Sequence, residues 1–147
     1  MPAGDIEKPL DGFQRMSALF GGSEYILSMW VKADGNGMDI TLLNEMGANI
    51  GELLYTNGKV TLSSAVLPPA LNAEYIIADF QFCFYKKEAL AKNLENSGFT
   101  FSAIDAPQKK RQIFKDGSLI IEINYSRNYI EFNNHLRRYK YILQGEF

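Results

Sequence analysis

The segment LPPALNAEYIIADFQFCFYKKEALAKNL, Leu67 to Leu94, decides the fold. Neither Pro68 nor Pro69 can donate a backbone hydrogen bond, so a strand ladder arriving from the N-terminal side ends here. Asn72 then stands where it can cap a helix beginning at Ala73. Within that helix Ile76, Phe80, Cys83 and Phe84 form one apolar stripe, and Tyr75, Ala78, Phe82 and Tyr85 form a second. Phe80, Phe82 and Phe84 also alternate, which leaves a strand open as the alternative. A helix apolar on nearly every side must be covered on both sides or present one side to a ligand or partner. Lys86 to Asn96 reads as a second helix, with Leu90, Ala91 and Leu94 inward and Gly98 as its C-cap.

Strands lie on both sides of this break. Phe13 to Phe20 is the first, turned by Gly21-Gly22. In the next, Tyr25, Leu27, Met29, Val31 and Ala33 alternate with Glu24, Ser28, Trp30, Lys32 and Asp34. Asp34-Gly35-Asn36-Gly37 is a turn, Met38, Ile40 and Leu42 form an inward set, and Ala48 to Thr56 a fourth strand. Asn57-Gly58 predicts a two-residue hairpin with Tyr55 opposite Val60 and Leu53 opposite Leu62. After the helices come Phe99 to Ile104, then Lys109 to Lys115 and Ser118 to Ser126. These last two flank Asp116-Gly117, which sets Phe114 opposite Leu119 and Arg111 opposite Glu122. Tyr129 to Phe132 and Leu136 to Leu143 close the meander, and His135 begins the last strand. The expected class is α+β: a curved antiparallel half-barrel sheet of about ten strands with two central helices as its lid. Residues 1–12, with Pro2, Gly4, Pro9 and Gly12, read as a flexible tether, and 13–147 as a single half-barrel domain.

Composition narrows the function. The 147 residues are 46% hydrophobic, enough for one folded domain with a sizeable core. A formal charge of −2 argues against nucleic acid, whose phosphates call for a basic partner. The charge is uneven: residues 107–140 carry 8 Lys or Arg against 3 acids, a basic region suited to solvent, an acidic partner or anionic headgroups. Cys83 is the only cysteine, so no internal disulfide forms and thiol pairing says nothing of the compartment. The first residues lack the pattern of a signal peptide, and no apolar run approaches the roughly 20 residues of a spanning helix. Taken as written, the chain reads as soluble.

Several stretches resemble a domain-of-unknown-function family of short bacterial lipoproteins. They are Gly35-Asn36-Gly37 with Met38 to Leu43, Met46-Gly47, and Leu53 to Val60. Leu67-Pro68-Pro69 leading to Ile77 through Gln81, and Arg111 to Gly117 leading to Ile121 through Tyr125, complete the set. The resemblance spans residues 13–143 and rests on the order of turns and apolar alternation. That family is similar to the lipoprotein-localisation factors LolA and LolB, whose curved sheet and helical lid enclose a cavity for acyl chains. The resemblance implies the bacterial cell envelope, on the periplasmic side of the outer membrane. It also implies a lipid anchor that this sequence does not carry. Val66-Leu67-Pro68-Pro69 is a candidate for the exposed apolar loop of LolB, with a packed turn as the alternative.

Equipment for chemistry is sparse. His135 is the only histidine, which excludes a two-histidine zinc site, and no Cys-x-x-Cys or Gly-x-Ser-x-Gly stands in the chain. Gly35 and Gly37 belong to a hairpin and do not open a helix, so they make no phosphate loop. Asp79, among apolar residues, needs a partner or its pKa would rise; capping or pairing with a sheet arginine suits it better than acid-base work. The expectation is therefore a noncatalytic protein with no metal or cofactor that binds lipid or acyl chains through its inward faces. Those are Leu27, Met29 and Val31, then Ile40 and Leu42, then Leu53 and Tyr55, and after the helices Leu119, Ile121 and Ile123. Ile76, Phe80 and Phe84 form the lid. The alternative is a self-filled barrel that docks another envelope protein; an enzyme on acyl or polyene substrates ranks third.

Overall fold

The structure is a computed structural model that describes residues 1–20, 22–64 and 72–146. Gly21, Pro68-Pro69 and the apolar loop Val66 to Pro69 lie outside the described residues. After a short 3-10 turn at Ala3–Asp5 come β1 (Leu10–Phe20), β2 (Ser23–Ala33), β3 (Gly37–Leu43), β4 (Asn49–Thr56) and β5 (Lys59–Ser63). Helices α1 (Ala73–Phe84) and α2 (Lys87–Glu95) follow. Then come β6 (Thr100–Ile104), β7 (Lys110–Lys115), β8 (Ser118–Tyr125), β9 (Tyr129–Asn134) and β10 (Tyr139–Gln144). The strands form one antiparallel sheet in the order β5-β4-β3-β2-β1-β10-β9-β8-β7-β6. The fold is thus α+β, and the order is open, with β5 and β6 at its two ends. It is not a closed barrel.

The chain forms two compact units, Met1–Gln14 with Leu27–Lys86 and Arg15–Ile26 with Lys87–Phe147. In the first, α1 packs against β5; in the second, α2 packs against β6. Asn72 caps α1, its side-chain oxygen accepting from the Glu74 and Tyr75 amides at 2.9 and 3.2 Å. These bonds satisfy two of the donors that a helix start leaves orphaned. Gly98 stops α2 at φ 78. Its N–H reaches the Glu95 carbonyl at 3.0 Å and the Phe99 N–H reaches Leu94 at 2.9 Å, the paired bonds of a Schellman ending.

The hairpin at Asn57-Gly58 has the expected register, Tyr55 against Val60 and Leu53 against Leu62. Asn57 and Gly58 both take positive φ, 53 and 78, as a tight turn between twisted strands requires. The Asp116-Gly117 hairpin pairs Phe114 with Leu119 as expected, but Arg111 lies opposite Ile123, and Gln112 takes Glu122. A register shift at Ile113/Phe114 is the cause: the extra residue, Ile120 on β8, moves that strand by one position against β7. Arg111, two residues from the buried Ile113 on the regularly alternating β7, shares its face and is buried.

Two further boundaries and the phase of one helix differ from the sequence reading. The first strand begins at Leu10, and the stretch before it is packed: Ile6 is buried and bridges Tyr85. The Glu7 amide donates to Phe84 and the Lys86 amide to Asp5, both at 2.8 Å. Residues 135–138 form a turn, so His135 ends a hairpin and the last strand starts at Tyr139. In α1 the inward position belongs to Ile77; Ile76 is half-buried.

Candidate functional site

The first unit builds an apolar face from cross-strand rows. Met29 lies opposite Leu42; Val31 opposite Ile40, which faces Leu53, which faces Leu62; Ala33 opposite Met38, which faces Tyr55. Met29, Val31, Ile40, Leu42, Leu53 and Tyr55 are all at or below 5% exposure, whereas Leu27 is half-buried. Strand side chains alternate between faces, so Trp30, Lys32, Glu52 and Leu54 stand on the other side, exposed. There the Trp30 indole N–H donates to Asp11 at 2.9 Å. Gly37 lets β3 approach β4 so closely that a Cβ in its place would collide with the Tyr55 carbonyl. Among the described residues, no buried charged or amide side chain lies on β2–β5.

Helix α1 buries Ile77, Phe80, Cys83 and Phe84, with the Phe80 and Phe84 rings 5.8 Å apart. It also buries Asp79 and Gln81. Asp79 lies mid-helix, so it is no cap. The Gln81 amide donates to the Met1 carbonyl at 3.3 Å and to the Tyr85 hydroxyl at 3.4 Å. The Tyr55 hydroxyl donates to the same Met1 carbonyl. A residue of the inner sheet face and a residue of α1 thus share one acceptor, which puts the C-terminal half of α1 on the inner side of β4. Burial pushes the Tyr85 hydroxyl up to about 12, with the Gln81 hydrogen bond opposing.

The second unit builds a different face. Ile113 lies opposite Ile121, and the row Arg111, Ile123, Phe132, Tyr141 runs across β7 to β10. Phe132 stacks on Tyr141 with centroids 4.7 Å apart and planes 2° apart, and on Tyr139 at 6.1 Å. Ile121 and Ile123 are buried here, while Leu119, beside the bulge, is half-buried. Arg111 and Asn134 are buried in the same face, 2% and 1% exposed. The Arg111 guanidinium lies 5.5 Å and the Lys109 ammonium 4.9 Å from the centre of the Tyr125 ring. On the outer side Lys110 pairs with Glu122 at 2.9 Å, and that hydrogen bond holds the Glu122 carboxyl below its ordinary range.

The residues singled out from sequence therefore divide between the units: those on β2–β4 and α1 gather in the first, and Leu119, Ile121 and Ile123 stand in the second. Ile6, Ile77, Gln81 and Arg111 were not among them. Ile6 and Leu10 stand as apolar residues within a Pro- and Gly-rich stretch, which was their only trace in the sequence. His135 is exposed, its amide bonded to the Ile120 carbonyl at 2.8 Å. Among the described residues, no group of three or more His, Cys, Asp or Glu is placed to hold a metal ion, and no helix is long and apolar enough to cross a membrane.

Comparison with curated proteins returns no match. Residues 13–144 match the family described as "Protein of unknown function (DUF3261)". The match covers both units and nearly the whole chain, and the protein belongs to that family.

Proposed function

We propose that this protein binds acyl chains of lipid or lipoprotein without catalysing a reaction, and that the face formed by β2–β5 and α1 is where an acyl chain lies. One observation carries the reading: the rows from Met29 to Tyr55 are aliphatic but for one tyrosine, and no buried charge or amide interrupts them. Acyl burial is worth about 0.8 kcal/mol per methylene, and only a face free of polar groups gains that sum without a desolvation cost. The buried polar side chains of the first unit, Gln14, Asp79 and Gln81, stand on β1 and α1 and leave these rows aliphatic, whereas in the second unit Arg111 stands within the row itself. In this reading the protein works in the bacterial cell envelope as an outer-membrane lipoprotein, with the membrane reached through a lipid anchor.

A second reading, an envelope interaction module with a self-filled interior, is favoured by the 1% or lower exposure of Val31, Ile40 and Leu53. Native mass spectrometry of gently purified protein separates the two. Carriage predicts mass increments of an acyl lipid that delipidation removes. A lipid-free protein whose stability is indifferent to delipidation overturns it.

A further inference from the structure

The β9–β10 turn presents His135, Leu136, Arg137 and Arg138, all exposed, with Leu136 at 59%. The turn is held, not loose. The buried Asn134 accepts the Arg137 amide at 2.8 Å and donates to the Tyr139 hydroxyl at 3.1 Å, and the His135 amide bonds Ile120. Arg138 sits at φ 57, which fixes the direction in which the chain leaves the tip. The neighbouring Asp116-Gly117 turn opens at the same end of the sheet, since Lys115 pairs with Ser118 on β8 and β8 pairs with β9. That end therefore collects exposed Lys115, Arg137, Arg138 and Lys140 against Asp116 and, past the end of β1 that pairs with Tyr139, Glu24. Lys115 also lies 5.7 Å from the Phe99 ring centre, its ammonium in solvent reach.

We propose that this tip is where the second unit meets an anionic lipid surface, Leu136 entering the headgroup boundary and the basic side chains pairing with phosphates. Two independent features meet here. A leucine at the crown of a rigid tight turn gains nothing from the fold, because any polar residue satisfies the same backbone bonds. The cations beside it supply what an apolar tip lacks, attraction to one class of surface, and they are four of the 8 basic residues of the segment 107–140. Arg111, Lys109 and Lys110 of that segment are engaged along the sheet, with Tyr125 or Glu122, and do not contribute.

The test is co-sedimentation of the full chain with phosphatidylcholine vesicles, with and without roughly a third phosphatidylglycerol, at low salt. Binding is expected only to the anionic vesicles and is expected to fall as salt rises. Each basic side chain near such a surface is worth a factor of roughly five in partition, so Arg138→Asn, which tolerates the positive φ, should weaken binding about fivefold. Leu136→Asp should abolish it, and Arg127→Gln, in the turn at the other end of β8 and β9, should leave it unchanged. A melting temperature within error of the parent protein for each variant excludes unfolding as the cause. Equal binding to neutral vesicles, indifference to Leu136→Asp, or capture by polyglutamate without vesicle binding overturns the proposal, the last in favour of an acidic protein. Because the proposal does not depend on acyl burial in the first unit, it stands or falls apart from that reading.

Discussion

Leu53→Ala probes the face that the functional reading depends on. Leu53 is 1% exposed and faces Ile40 on one side and Leu62 on the other. The truncation removes three carbons, about 2.4 kcal/mol of transfer free energy, and the cavity left between two neighbouring strands raises the loss to about 3 kcal/mol. For a chain of this size that corresponds to a drop of about 6–12 °C in melting temperature. Urea unfolding with an unchanged slope reads the loss directly as a shifted midpoint. Leu54→Ala is the control, because its side chain stands on the opposite face at 39% exposure and should cost about 1 kcal/mol or less. Equal losses at the two positions, or less than about 1 kcal/mol at Leu53, refute the assignment of faces.

Other consequences follow from single contacts. Asn72→Ala leaves the Glu74 and Tyr75 amides without their side-chain acceptor and should cost about 1 kcal/mol in chemical denaturation, with helical circular dichroism lost first. Tyr85 should titrate near 12 in ultraviolet absorbance, a step that Tyr85→Phe removes. Since its folded value lies above the unfolded one of about 10, the stability it contributes is intact below pH 10 and is lost as pH rises from there through 12. Glu122 behaves in the opposite sense: its folded value is depressed, so the stability from Lys110 is present above the ordinary carboxylate range and disappears as pH falls through the folded value. The stability gap between parent and Glu122→Gln, below about 1 kcal/mol for a partly exposed pair, should therefore close in acid.

What the sequence disclosed was the part written in turn and cap chemistry. Asn57-Gly58 admits one hairpin geometry, and with it the register that puts Leu53 and Tyr55 on one face. Asn72 and Gly98 marked helix ends because only short polar side chains and a residue free of Cβ serve there. The register at Arg111 was hidden because β7 alternates regularly past the bulge and the extra residue, Ile120, is one of three consecutive apolar residues, Leu119-Ile120-Ile121, none of which stands out as the unpaired one. Ile77 was displaced by Ile76 because two adjacent isoleucines satisfy a helical stripe equally well, and packing against β5 chose the phase. The packing of Ile6 depends on a bridge to Tyr85, 79 positions away, which no local pattern announces. The candidate residues were legible only as apolar ones, since a side chain that lines an acyl site and one that fills a core obey the same periodicity.

The most direct measurement of the central claim is photo-crosslinking with a diazirine-bearing fatty acid followed by peptide mapping. The account predicts label on peptides within residues 27–62 and on α1, reduced when Ile40 or Leu53 is replaced by a charged residue in a variant that still folds. Label confined to the strands after α2, or none above that of a control globular protein, contradicts it.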